Sequence, residues 1–265
     1  MFQRVLLTVL LLPLICHSKR RRALFSPISK SSEAKRVVNV ITTYSQRSKE
    51  YCTGTLLSNT LVLTAAHCVH SENAGQALSI DVRLSTGETR RVKKLFLHRH
   101  YRNEAPCHDV AILLLDRSAK LTIGPLNLGC KDEWNSGNCT AYGNGVIENG
   151  ELSESVREVK FRIDKPTVEF FSSDQCWETY YTSRAKLCQG DSGGPVLCQT
   201  GSKTSIVGVN VQIVSNYDGD SPLIICKLSY GSIISNYRAI LELIQQLPSK
   251  YRNYILQQFD TTGCF

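Results

Sequence analysis

The chain's 265 residues, 42% hydrophobic and 20% charged, have the composition of an ordinary globular protein and the length for one large all-β unit or two modest domains. The formal net charge is +8, but five of those charges sit on Arg4, Lys19, Arg20, Arg21 and Arg22, in a stretch that holds no acid. The excess therefore reads as a processing signal, and with no basic stripe interleaved with aromatics it gives no support to a nucleic-acid partner.

Arg4 followed by the apolar run Val5 to Ile15 has the form of a secretory signal, with small residues Cys16 and Ser18 placed for cleavage after Ser18. The run is too short to span a bilayer, and no apolar run of about 18 residues occurs, so no membrane partner is expected. Residues 1–18 are thus read as a signal peptide, 19–22 as a basic processing site and 23–265 as the mature domain. Ser26 to Arg36, polar and carrying Pro27, reads as loop. Short β-type runs follow at Val37–Thr42, Thr53–Leu57, Leu61–Thr64, Ile80–Leu84, Arg91–Phe96 and Val110–Leu115. A second set lies at Cys139–Tyr142, Glu158–Ile163, Pro195–Cys198, Ser205–Ile213 and Leu223–Leu228. Gly, Asn, Asp and Ser clusters separate them, the pattern of a β-sandwich or barrel. Near the end Tyr237, Ile240, Leu241, Ile244 and Leu247 recur at helical spacing, and Pro248 stops the pattern. A further helical turn or two is expected beyond it.

Ten of the eleven cysteines follow the signal, which fits an oxidising compartment and a secreted protein. No Cys-x-x-Cys pair occurs, so a zinc-cysteine site is not expected. His98 and His100 would share one face of a strand, which suits a metal. No third ligand lies near them in sequence, so the pair reads as a polar strand edge, and neither a metal nor a cofactor is expected. Asn138-Cys139-Thr140 is an N-glycosylation sequon.

Three segments carry chemistry: Leu63-Thr64-Ala65-Ala66-His67-Cys68, His108-Asp109 followed by Val110 to Leu115, and Cys188-Gln189-Gly190-Asp191-Ser192-Gly193-Gly194-Pro195. In these motifs, in this order, the chain resembles the trypsin/chymotrypsin family of serine peptidases, over about Val37 to Leu247. A serine hydroxyl becomes nucleophilic when a neighbouring base takes its proton, and histidine titrates near neutrality. A carboxylate on the other ring nitrogen fixes the tautomer and stabilises the imidazolium. The resemblance therefore implies Ser192 as nucleophile, His67 as general base and acid, and Asp109 as its orienting carboxylate. Gly190 and Ser192 would supply the oxyanion-hole N–H groups. The implied fold is two six-stranded antiparallel β-barrels with a C-terminal α-helix, joined near 120–138. The implied partner is a protein or peptide substrate, with a monomer as the family default.

The resemblance also implies the disulfides Cys52–Cys68, Cys139–Cys198 and Cys188–Cys226. Cys107, Cys130, Cys176 and Cys264 remain, and four cysteines allow three pairings. Family members gain activity when a new N-terminal ammonium pairs with the Asp before the nucleophile, here Asp191. The usual Ile-Val-Gly-Gly-like start is absent. Cleavage after Arg22 would expose Ala23 at the spacing from Cys52 nearer to the family's, and cleavage after Arg36 would expose Val37, which reads as the first barrel strand.

The specificity pocket implied by the alignment departs from the family. Lys186 stands at the position of the pocket base, where trypsin-like members carry an acid. Val211-Gln212-Ile213 replaces Ser-Trp-Gly, so Ile213 stands for the wall glycine, while Gly231 matches the glycine opposite. Either the enzyme prefers acidic or small P1 residues, or its pocket is largely closed and activity is narrow or weak. The rival reading is a catalytically weak or inactive homologue that binds or regulates. An esterase elbow is excluded, because the three groups occur in the order His, Asp, Ser, the reverse of the Ser, acid, His order that elbow requires.

Overall fold

The computed structural model describes residues 26–45, 48–71, 77–103, 106–124, 126–130, 139–164, 174–200, 203–217, 219–261 and 264. The signal-like segment, the basic cluster 19–22, Ala23, Leu24 and Asn138 lie outside the described residues. Six strands form the first barrel: β1 (Val37–Ser45), β2 (Ser48–Ser58), β3 (Leu61–Thr64), β4 (Ser79–Arg83), β5 (Thr89–Leu97) and β6 (Ala111–Leu115). They close in the order β1-β2-β3-β6-β5-β4, every pair antiparallel.

Period-two alternation builds β1, in which Val38, Val40, Thr42 and Tyr44 are buried and the residues between are half-exposed. The run β6 is buried almost continuously, as a strand covered on both faces must be. In β2, Gly54 is required by packing, because a Cβ there would lie 2.8 Å from Val62 and 2.9 Å from Val40.

The second half begins with a two-residue strand, β7 (Asn127–Leu128). Then come β8 (Cys139–Gly143), β9 (Arg157–Asp164), β10 (Cys176–Tyr181), β11 (Pro195–Thr200), β12 (Lys203–Ser215) and, after helix α1 (Pro222–Leu228), β13 (Ser229–Asn236). The six long strands pair antiparallel around a ring, β11-β8-β9-β10-β13-β12, which the β11–β12 ladder closes, while β7 adds in parallel to β12. The fold is the two-barrel architecture expected from the motifs.

Two helices end the chain, α2 (Tyr237–Gln246) and α3 (Ser249–Gln258). Asn236 caps α2 by accepting the Arg238 N–H, and α2 buries Tyr237, Ala239, Ile240, Leu243 and Ile244. The second helix is a full ten residues, longer than the turn or two expected. Among the described residues no helix is long and apolar enough to cross a membrane.

Leu223–Leu228, expected as a strand, is helical instead. Pro222 at the first helical position presets φ, and the Ser221 carbonyl accepts from both Ile224 and Ile225. Strands β10 and β13 carried no sequence signal. The run Ser229–Asn236 is buried at seven of its eight positions, so it lacks alternation, and its Ser, Gly and Asn content reads as turn.

Five disulfides are present. Cys52–Cys68, Cys139–Cys198 and Cys188–Cys226 join the pairs that the resemblance implies, and the open four pair as Cys107–Cys176 and Cys130–Cys264. Cys107 precedes β6 and Cys176 opens β10, so this bridge ties the two barrels together two residues before Asp109. It spans 69 residues, for which chain-entropy reasoning gives about 4 kcal/mol. Replacing both cysteines with serine should lower the unfolding free energy by about that amount in denaturant titration. A loss below about 1 kcal/mol would show that the bridge constrains little.

Candidate active site

Strand register brings the first two groups together. Thr64, the last residue of β3, faces Ala111, the first of β6, so the end of one strand and the start of the other meet at the same rim of the barrel. His67 lies three residues past that point and Asp109 two before it. A turn after β3, with Val69 and His70 both donating to the Ala66 carbonyl, and the Cys52–Cys68 bridge fix His67. A short 3-10 turn at Pro106–His108 leads into Asp109.

Both carboxylate oxygens of Asp109 are occupied by one residue. Oδ1 accepts the His67 backbone N–H at 2.9 Å, and Oδ2 lies 2.6 Å from His67 Nδ1. Asp109 is 6% exposed, and its own N–H donates to Ser235 Oγ at 3.2 Å. The Ser235 hydroxyl in turn donates to the Pro106 carbonyl, which holds the turn against β13. A carboxylate at Nδ1 puts the ring proton there and leaves the Nε2 lone pair as the basic site. Burial pulls the His67 pKa down, but the Asp109 charge and hydrogen bond, helped by Glu50, outweigh it, and the net shift is upward.

Ser192 lies between two glycines in the left-handed region, Gly190 at φ +92° and Gly193 at φ +82°. Thr53, on β2 and fully buried, clasps this loop to the first barrel. Its N–H donates to the Ser192 carbonyl at 2.8 Å, its hydroxyl donates to the Gly190 carbonyl at 2.8 Å, and the same oxygen accepts the Asn144 N–H at 3.2 Å. Asn210 on β12 holds the other side, accepting the Gly193 N–H at 2.7 Å and donating to the Gly194 carbonyl at 3.0 Å. Among the described residues no protein acceptor takes the N–H of Gly190 or Ser192. Thr53, Ser235 and Asn210 carried no signal in the sequence, because each acts through contacts across barrels or strands.

Asp191 is buried and lines a niche with Gly143, Gly145 and Arg157. Its Oδ1 accepts the Gly145 N–H at 2.7 Å and its Oδ2 the Cys188 N–H at 2.8 Å. Gly143 and Gly145 make the room, since a Cβ at 143 would lie 2.0 Å from the carboxylate oxygen. Burial pushes the carboxyl up to about 6, against the pull of the Cys188 and Gly145 N–H groups and of Arg157. Ser26 lines the same niche, donating its hydroxyl to the Lys186 carbonyl at 3.0 Å while its carbonyl accepts from Arg157 at 2.7 Å.

Beside Ser192 the space is small, about 10 Å³, lined by Leu187, Asn210, Val211, Gln212, Ile213 and Ser232 among others. That is about one water molecule's worth of room. Of the three expected pocket residues only Ile213 lines it. Lys186 lines the Asp191 niche instead, and its Nζ donates to the Ser229 carbonyl at 2.6 Å and lies 4.7 Å from the Tyr181 ring. Gly231 pairs with Tyr180 on β10, and a Cβ there would lie 1.9 Å from the Thr179 carbonyl. Cys52, His67 and Cys68 gather within ligand range of one another, but both sulfurs are spent in their disulfide and offer no thiolate to a metal.

Residues 29–234 match the Trypsin family. A chymase of Rattus norvegicus is 32% identical over 164 residues, which cover 56% of this chain and 64% of the chymase. Mast cell protease 2 of Meriones unguiculatus is 32% identical over 171 residues, covering 57% of this chain and 67% of that protein. Human chymotrypsin-like elastase family member 1 is 29% identical over 180 residues, covering 60% and 68% respectively. The chain thus spans less than two thirds of the length of the chymase it matches.

Proposed function

The chain belongs to the trypsin family, and from that premise we propose that it is a secreted serine endopeptidase that uses His67, Asp109 and Ser192 as its triad. The observation that carries this reading is the double hold of one carboxylate on one histidine, at 2.6 and 2.9 Å, at the rim where the Ser192 loop docks. In the proposed reaction Ser192 Oγ attacks the scissile carbonyl as His67 Nε2 takes its proton. His67 then gives that proton to the leaving amine. Water, activated by the same nitrogen, hydrolyses the acyl-enzyme and restores the serine. The N–H groups of Gly190 and Ser192 would hold the oxyanion. The five disulfides support an oxidising destination.

For activation we favour cleavage after Arg22. Ser26 already lines the Asp191 niche, and three residues of extended chain reach about 10 Å, enough for an Ala23 ammonium to meet that carboxylate. Val37, the alternative terminus, is buried and paired with Thr55 in β1. For specificity the small space beside Ser192 supports a small P1 side chain, since Lys186 is engaged elsewhere. The same closed space and the missing family N-terminus favour the second reading, a catalytically weak homologue that binds or regulates.

Labelling of the secreted protein with a fluorophosphonate probe, beside Ser192→Ala, separates the two. Labelling that vanishes in the variant supports the peptidase. No labelling of folded protein cut after Arg22 moves the conclusion to the binding homologue.

The upward shift of His67 also fixes the sign of a pH effect. The base must be neutral to act, so activity should climb with pH through a limb above the ordinary histidine value of about 6.5. A kcat/KM profile whose acid limb falls below that value would contradict the Asp109 contact as its cause.

A further inference from the structure

The space beside Ser192 holds about one water molecule, yet a groove of about 680 Å³ opens at Gly190, two residues before it. A Cβ on Gly190 would lie 3.0 Å from Leu152 Cδ2 and 3.5 Å from the Tyr51 carbonyl, so the loop passes between these two residues of the groove. Cys52, bridged to the residue after His67, lines it as well. A P1 side chain belongs to the small space between Leu187–Ser192 and Val211–Ile213. The acyl half of a substrate then lies on that side, and the leaving half runs out along the Gly190–Cys52 side.

The groove has the surface of a recognition site. Asn39 and Ile41 floor it, on the face of β1 opposite the buried Val38 and Val40. Three of the seven large apolar side chains that are exposed among the described residues, Ile28, Tyr51 and Leu152, stand on its walls. Exposed apolar groups gathered in one concavity mark a place where a partner docks. Asn144 lines the groove too, is 6% exposed, and its Oδ1 accepts no hydrogen bond among the described residues. A substrate N–H can supply the donor that the fold leaves out.

Charge distinguishes one end. The lining holds two cations, Lys35 and Arg83, and one acid, Glu154. The Ser85 hydroxyl donates to the Lys35 carbonyl at 3.1 Å, which ties Lys35 beside the end of β4, where Arg83 lies. Both cations are exposed, and neither side chain has an ion-pair partner among the described residues. Strands β2, β1 and β4 lie side by side through the pairs Tyr51–Ile41 and Asn39–Arg83. Tyr51 and Arg83 are therefore two strand spacings apart, about 10 Å, the reach of about three extended residues.

We propose that this groove sets substrate choice by binding the leaving half of an extended peptide, with an apolar residue in the first two places after the scissile bond and an acidic residue about three places further on. The apolar side chain lies between Tyr51 and Leu152, and the carboxylate meets Lys35 and Arg83. The inference rests on the peptidase reading for which half of the substrate lies here.

The test uses quenched peptides with a fixed alanine at P1 and varied residues after the bond. Exchanging the distal acid for lysine should lower kcat/KM about 5–30-fold, the size of one or two exposed charge pairs turned from attraction to repulsion. The double variant Lys35→Glu/Arg83→Glu should reverse that order, and high salt should compress it. Lys250→Glu, on α3, should leave it unchanged. The two cations are exposed, so the double variant should fold, and circular dichroism checks that it does. A preference that survives the double variant, or one that Lys250→Glu alters equally, would overturn the assignment, as would rates that respond to P1 alone. A separate measurement distinguishes failure of the peptidase reading. A labelled peptide carrying only the leaving half is titrated into Ser192→Ala protein and followed by fluorescence anisotropy. If the wild type takes no fluorophosphonate probe, saturable binding that the double variant loses keeps the groove while the peptidase falls. No binding there overturns both.

Discussion

Asp109→Asn should lower kcat about 10⁴-fold while the protein still folds, the loss that the same change causes in this mechanism. The geometry gives the reason. Asparagine matches aspartate in size, and its one carbonyl oxygen can keep the His67 backbone N–H now held at 2.9 Å. Its amide NH₂ then faces His67 Nδ1 in place of the oxygen at 2.6 Å. A donor there forces the ring proton onto Nε2, the nitrogen that in the proposed mechanism accepts a proton from Ser192. The variant also loses the charge that raises the His67 pKa, so any residual activity should show an acid limb at lower pH. Steady-state kinetics on active-site-titrated protein would decide it. A fall of less than tenfold would mean that Asp109 does not set the His67 tautomer.

What the sequence displays is local, and what it hides is contact at long range. Leu63 to Cys68 and His108 to Leu115 name their own strands, because an apolar run beside a polar active residue is visible within a few positions. Their meeting follows from pairing of β3 with β6, which barrel closure imposes. Thr53 looks like any strand threonine, and its clasp on the Ser192 loop joins residues more than 130 positions apart. Ser235 likewise reaches Asp109 across 126 positions from a strand whose polar composition conceals it.

The short apolar run Leu223–Leu228 misled for another reason. Four to eight apolar residues cannot by periodicity distinguish strand from helix, and here Pro222 decided. Lys186, placed at the pocket base by counting back from Cys188, has its Nζ on the Ser229 carbonyl, a contact across 43 positions that no local count displays.

Gly193→Ala should damage both stability and catalysis, because the missing Cβ is the joint between the barrels. Gly193 has φ +82°, where an L side chain costs about 1–3 kcal/mol. A Cβ there would also lie 2.2 Å from the Thr53 carbonyl and 2.2 Å from Thr64 Oγ1, on β2 and β3 of the first barrel. Neither contact is the far end of a flexible side chain. Relief therefore means moving the Ser192 loop away from the strands that carry His67, and overpacking of this kind costs about 1–3 kcal/mol more. The expected loss in denaturant unfolding is about 2–6 kcal/mol. A displacement of about 1 Å between nucleophile and base is enough for a 10²-fold loss of rate, so kcat should fall at least that far in whatever folded fraction remains. Thr53→Ser offers the complementary control, since it keeps the hydroxyl that donates to the Gly190 carbonyl. It should retain most activity. A Gly193→Ala protein with wild-type stability and turnover would show that the two barrels are not held in register through this contact.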